Sequence, residues 1–408
     1  NDAFAAVLSD GSVVTWGDPD AGGTSWDLDS LSQSGTISSA GALTLNGDLT
    51  TNGSATFSQP QKIVISSTAN QAISGYDLTF TITGTAAGAY TASGASGATI
   101  IGAPGMFDGL ALTDSTTGGT VTLQLNDVAA GQTHNLDEML ADVIEVTADA
   151  SSAGVNTFTI ASGTTFKISD ALDHGVTLDA DAARTGAPAD TAEVGNVSVG
   201  KTLAGVLTVS DFETITVTTT GTDAITLPSV VAAGTATLTL NGTAPLTLTA
   251  VTADTVDASG YTGAITHTMA AATADNFTFG SGDDSVTFAT GETVTVVGGA
   301  GNDTLIGAGD MLNVTFSGFE LFTAGGAITA STASQFSGGS MIINGGVGIT
   351  ISSADQATID LSGHTMAVAA NDNFTVTGAV DATKLASSVA LLDTSNSCFI
   401  LSISFSCF

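Results

Sequence analysis

Residues 225–260 align without a gap to residues 328–363, an offset of 103 positions. Ile225-Thr226 matches Ile328-Thr329, and Asn241-Gly242 matches Asn344-Gly345. Val256-Asp257-Ala258-Ser259-Gly260 matches Ile359-Asp360-Leu361-Ser362-Gly363. After a six-residue deletion, His267-Thr268-Met269-Ala270 pairs with His364-Thr365-Met366-Ala367, and Asp275-Asn276-Phe277-Thr278 with Asp372-Asn373-Phe374-Thr375. A repeated unit of this kind buries its open face on its neighbour, so the chain is constrained to stacked units.

Those units read as strands. Ala42-Leu43-Thr44-Leu45, Thr120-Val121-Thr122-Leu123-Gln124-Leu125 and Thr237-Leu238-Thr239-Leu240 alternate or nearly alternate, and each runs into an asparagine. One short helical connector is expected, over Asn135-Leu136-Asp137-Glu138-Met139-Leu140. With 49 glycines, 6% aromatic residues and apolar content that is largely Ala and Val, the chain suits thin regular layers better than a bulky core. The expected fold is all-β: parallel β-solenoid or β-roll repeats, with a β-sandwich or β-helix-like N-terminal region. The expected divisions are an N-terminal hairpin segment (1–34), a β-rich domain (35–120), a repetitive β-domain (121–390) and a tail strand (391–408). In the hairpin, Ala3 to Leu8 and Val13 to Gly17 flank an Asp10-Gly11 turn. Leu45-Asn46-Gly47 and Thr51-Asn52-Gly53, six residues apart, suit successive coils of a β-helix.

Charge narrows the partners. Asp+Glu number 39 against 5 Lys+Arg, a net charge of −34. That field repels nucleic acid and anionic membranes. Compaction then calls for counterions, and divalent cations are the natural ones. No apolar run is long enough to cross a bilayer as a helix, and no signal peptide follows Asn1. Cys398 and Cys407 both lie in the tail, so no disulfide framework is expected in the body.

Gly298-Gly299-Ala300-Gly301-Asn302-Asp303-Thr304-Leu305-Ile306 fits the calcium nonapeptide GGxGxDxUx. The glycines permit positive-φ turns with bare carbonyls, and the aspartate supplies the hard oxygen Ca²⁺ prefers. Phe279-Gly280-Ser281-Gly282-Asp283-Asp284-Ser285-Val286, nineteen residues earlier, is a degenerate copy. Two nonapeptides make about one solenoid turn, so the loops are expected to stack on one side. Gly307-Ala308-Gly309-Asp310 reads as a third, truncated loop. The expected ligands are the side chains of Asp284, Asp303 and Asp310, with carbonyls near Gly280, Gly282, Gly299 and Gly301. The alternative reading is a set of ordinary Gly-Asp turns between strands.

Other chemistry finds little support. His134, His174, His267 and His364 are dispersed, without HExxH or a His/Cys cluster. The repeat-equivalent His267 and His364 read as structural. No GxSxG elbow is present, and no carboxylate pair stands out for glycan hydrolysis.

Residues 200–385 resemble the repeat regions of bacterial RTX-type surface proteins, notably S-layer proteins of Gram-negative bacteria. The residues that carry this are Phe212-Glu213-Thr214-Ile215-Thr216-Val217, Val256 to Ala264, and the nonapeptide at Gly298. The resemblance implies export by a type I system, calcium-triggered folding outside the cell and two-dimensional assembly.

The expectation is therefore a structural, non-enzymatic protein that self-assembles at the cell surface into a calcium-dependent layer, sheath or filament. Its partners would be copies of itself, with cell-surface glycan or lipopolysaccharide as a further contact. The alternatives are a secreted adhesin or matrix-binding protein, and a secreted hydrolase carrying a calcium β-roll.

Overall fold

In Thr214–Thr219, Ile215 and Val217 point inward and are fully buried, while Thr214, Thr216 and Thr218 point outward. β-Branched residues fit this pleated, half-buried setting, because their restricted χ1 costs little there. In the computed structural model the pattern recurs coil after coil, and from Gln61 onward the strands pair in parallel with their equivalents one coil away.

The structure describes residues 99–351, apart from 109–111, 117–118, 127, 130, 149–153, 181–193, 233–236, 270–275, 289–290, 292, 337–338 and 345–348. It also describes residue 364 and the strands outside that span.

Two units are present, Asn1–Glu213 and Thr214–Phe408, and both are parallel β-solenoids. In the first, Gln61–Ile65, Leu78–Ile82, Ala98–Gly102, Val121–Leu125, Val143–Val146, Thr165–Ile168 and Val194–Val199 stack in that order. A second wall is formed by Thr133–Leu136, Val155–Ile160, Gly175–Ala180 and Leu207–Ser210. Register aligns Leu123, Ile144, Phe166 and Val197 into one inward column, all at most 2% exposed. Each such side chain contributes about 1.5–3 kcal/mol through burial.

In the second unit one sheet runs Thr214–Thr219, Thr237–Gly242, Thr255–Asp257, Asn276–Thr278, Val294–Val297 and Val314–Ser317. The facing sheet runs Ile225–Leu227, Leu246–Leu248, Ile265–Thr268, Ser285–Thr287, Thr304–Asp310 and Leu321–Ala330. Partners at Leu246↔Ile265, Thr266↔Ser285 and Ser285↔Thr304 are 19 residues apart. The 103-residue sequence repeat thus spans about five coils.

The two copies of that repeat agree only in part: Ile225↔Leu246 and Ile328↔Ile349 are equivalent pairs in the second sheet, but the segment between them changes wall. Thr237–Gly242 belongs to the first sheet, whereas its counterpart Ile342–Asn344 pairs with Leu321–Ala330 and extends the second. The cause lies just upstream. The short helix Ala333–Phe336 sits where a strand would follow Val314–Ser317. The Gln335 amide donates to the carbonyls of Met311 and Val314, and Phe336 packs edge-on to Phe316 and Phe322. The helix therefore satisfies carbonyls beside the edge strand.

The N-terminal hairpin is present. Ala3–Val7 pairs antiparallel with Val13–Gly17; its turn lies outside the described residues. The tail strand is present as Ile400–Ser404, parallel to Asn373–Thr377. Cys398 and Cys407 lie outside the described residues. From Gln61 onward the N-terminal region is solenoid rather than sandwich.

Two local expectations are corrected. Asn135–Leu140 is not helical: Thr133–Leu136 is a strand on Val155–Ile160, with His134 and Leu136 inward. Coil pairing and two inward side chains outweigh local helix propensity there. The six-residue spacing is not a coil repeat, because Thr44–Thr51 is a single strand that contains Asn46-Gly47. Among the described residues no helix is long and apolar enough to cross a membrane.

Candidate cation site

The nonapeptide and its degenerate copy form the corners of successive coils. Residues 279–284 connect Asn276–Thr278 to Ser285–Thr287, and residues 298–303 connect Val294–Val297 to Thr304–Asp310. The corners stack closely enough to demand glycine. Gly299 and Gly301 have φ of +100° and +141°, and a Cβ on either would collide with the carbonyl oxygen of Gly280 or Gly282. Gly280 and Gly282 are pressed in the same way against the carbonyls of Tyr261 and Gly263. The four predicted glycines thus form a column of close backbone approach.

Asp284 and Asp303 share this column, and both are buried, at 2% and 0% exposed. Each reaches back one coil. Asp284 Oδ1 accepts the Ile265 N–H at 2.7 Å, and Asp303 Oδ1 accepts the Asp284 N–H at 2.8 Å. On the exposed side of the corners, Asp283 Oδ1 accepts the Asn302 N–H at 2.9 Å. The other oxygen of each buried carboxylate, Asp284 Oδ2 and Asp303 Oδ2, has no hydrogen-bond partner.

Electrostatics follow. Burial pushes the Asp284 carboxyl up to about 6; amides of Ile265 and Gly280 oppose the rise, and the Asp303 charge adds to it. Burial likewise raises Asp303, with Glu320 and Asp283 adding to the effect. Glu145 in the first unit is the contrast. Burial pushes it up too, but Lys167, Ser169 and Gln124 bond to it and hold it below its ordinary value. Lys167 Nζ lies 2.7 Å from Glu145 Oε1. The Asp column has no such partner within reach of sequence, since no Lys or Arg occurs from 202 to 383.

Asp310 stands apart. Gly307 to Asp310, expected as a third loop, belong to the strand Thr304–Asp310. The Asp310 carboxylate accepts the Leu312 N–H at 3.0 Å, closing a local turn beyond that strand. The third rung is instead Glu320, which the sequence reading missed. Its Oε2 accepts the Asp303 N–H at 2.8 Å. The available signal was spacing: Glu320 follows Asp303 by 17 residues, and its backbone N–H bonds to the Asp303 carbonyl at 3.1 Å.

The residues present fit a hard cation. Two buried carboxylate oxygens are orphaned, that of Asp303 beside Gly298 and the Gly318 carbonyl, in a stretch of chain without Lys or Arg. Among the described residues no group of three His, Cys, Asp or Glu side chains converges on one metal position. A bound ion would therefore draw much of its shell from carbonyls. The carboxylates also have a purely structural use. Asp142 Oδ2 accepts the Val121 N–H at 2.7 Å in the same coil-to-coil manner, far from any glycine motif.

The repeat-equivalent His267 and His364 are both buried and bonded to backbone. His267 occupies an otherwise apolar column with Leu248, Val286 and Leu305, and its Nδ1–H donates to the Leu248 carbonyl at 2.8 Å. Nε2 is left buried and unpartnered, and burial lowers the imidazole to about 4. His364 joins the Phe336 carbonyl to the Met341 N–H.

No protein-family model matches the chain, and no curated protein or solved structure matches it.

Proposed function

We propose that this protein is a structural, non-enzymatic, self-assembling component of the cell surface, stabilised by calcium at the stacked corners 279–284 and 298–303. The observation that carries the reading is the pair of buried Asp284 and Asp303 carboxylates, each with an unpartnered oxygen, in a stretch from 202 to 383 without Lys or Arg. Calcium supplies the missing charge and coordinates carbonyls as readily as carboxylates. An affinity of about 10⁻⁴–10⁻³ M, typical of extracellular modules, would leave the site empty in a cytosol and filled outside. This favours extracellular folding.

Assembly draws on the architecture. A parallel solenoid presents regular strand edges that a second copy can extend. With a net charge of −34, copies repel unless a divalent cation lies between them. The resemblance to RTX-type S-layer repeats points the same way.

The test is electron microscopy of the purified protein with and without Ca²⁺. Ordered arrays or filaments are expected with the ion, and dispersal with excess EGTA. Arrays that persist in EGTA and carry no metal by elemental analysis would overturn the calcium part. A chain that stays monomeric with saturating Ca²⁺ would favour the adhesin reading.

A further inference from the structure

We infer that Glu320 completes a second cation position, one coil beyond the nonapeptide pair, between Asp303 and the corner Gly318 to Glu320. The inference rests on the calcium reading above and extends it to a carboxylate outside either nonapeptide.

Asp303 points the way. It is 0% exposed, its Oδ1 is taken by the Asp284 N–H, and its Oδ2 is unpartnered. That free oxygen lies beside the close approach of Gly298 to the next coil. A Cβ on Gly298 would stand against the Gly318 carbonyl oxygen and 2.9 Å from Asp303 Oδ2. Two oxygens from successive coils thus converge on the Cα side of Gly298, where any side chain would clash with them.

Glu320 is fastened beside that point from both ends. Its Oε2 accepts the Asp303 N–H at 2.8 Å, and its own N–H donates to the Asp303 carbonyl at 3.1 Å. The third corner is shorter than the second. Asp303 follows Gly299 by four residues, whereas Glu320 follows Gly318 by two. The carboxylate there is carried on a side chain one methylene longer, which offsets the missing reach. Asp303 Oδ2, the Gly318 carbonyl and the Glu320 carboxylate form an irregular all-oxygen set. Ca²⁺ accepts irregular oxygen sets, while Mg²⁺ demands a near-octahedral shell.

The test is calorimetric titration of the chelator-stripped full chain with CaCl₂, comparing wild type with Glu320→Gln. Glutamine keeps an oxygen for the Asp303 N–H and removes only the charge. The expected result is the loss of one bound equivalent, or its weakening by about tenfold, with thermal unfolding in EGTA unchanged. An unchanged isotherm overturns the inference and leaves calcium binding at the nonapeptides intact. Equal destabilisation of E320Q in EGTA and in Ca²⁺ also overturns it, because Glu320 would then be a backbone cap alone. Absence of calcium uptake by the wild type removes the underlying reading and this one with it.

Discussion

The Asp284 N–H donates to Oδ1 of Asp303, nineteen residues ahead, at 2.8 Å. A carboxylate from one coil thereby completes the backbone of the coil before it. Asp303→Asn retains an acceptor for that N–H and removes the charge. In EGTA its melting temperature should equal or exceed that of wild type, since a buried charge is gone. In Ca²⁺ at 100 times the dissociation constant, wild type should gain about 2.7 kcal/mol from an ion bound only to the folded state. The variant should lose most of that gain. Differential scanning calorimetry in the two buffers makes the comparison, and an equal gain in both proteins would refute the role.

Acid should pull the second unit in two directions. The folded carboxyl of Asp284 is raised to about 6 from 3.8, so between those values the folded state holds the extra proton. Its contribution grows as pH falls through 6 and is absent above it. His267 is lowered to about 4 from 6.5, so the unfolded state holds the extra proton there. Its contribution is full above 6.5 and is lost as pH falls towards 4. In EGTA the two should oppose one another in wild type, with the raised Asp303 carboxyl acting in the same direction as Asp284. Asp284→Asn removes only the first effect, and its melting temperature should fall more steeply from pH 6.5 to 4.5. Parallel curves for the two proteins would contradict this assignment.

Gly299→Ala and Gly301→Ala each place a Cβ against a neighbouring carbonyl at a positive φ. Gly163→Ala, at φ +82° with open space around it, isolates the conformational cost of about 1–2 kcal/mol. The two corner variants should lose about 1–3 kcal/mol beyond that control, through displacement of the adjacent coil. Urea unfolding measures the difference, and equal losses at all three positions would argue against tight corner stacking.

Tyr261 is fully buried, and its hydroxyl donates to the Ala244 carbonyl at 2.6 Å. The Thr219 hydroxyl, also at 2.6 Å, then donates to Tyr261. Tyr261→Phe strands both groups away from water. The expected cost is about 1–3 kcal/mol in denaturant unfolding, independent of calcium. A calcium-dependent loss would mean that the tyrosine acts through the ion site.

The solenoid was legible because its period is written in apolar residues. Val121–Leu125 and Thr237–Gly242 alternate so regularly that strand type and inward face follow directly. The stacking of Asp284 over Asp303 was legible from their nineteen-residue spacing. Wall assignment was not. The sequence repeat equates Thr237–Gly242 with Ile342–Asn344, but nothing local to either segment announces the helix at Ala333–Phe336 that ends one sheet. Asn135 to Leu140 misled because composition favours a helix, while parallel pairing, a non-local term, decides the outcome. Glu320 was missed because it lies in no glycine motif. Only the register Thr304↔Leu321 brings it under Asp303.

The backward reach of these carboxylates gives the solenoid a growth polarity. The Ile265 amide finds its acceptor only after Asp284 has emerged, and the Asp284 amide only after Asp303. A C-terminal truncation just before Asp303 would strand a buried donor in the coil left behind. An N-terminal truncation between Ile265 and Asp284 would instead release a carboxylate that water can solvate. Losing a coil from one end is therefore more damaging than losing one from the other. A chain delivered to its folding compartment C-terminus first would meet each acceptor before the donor it serves.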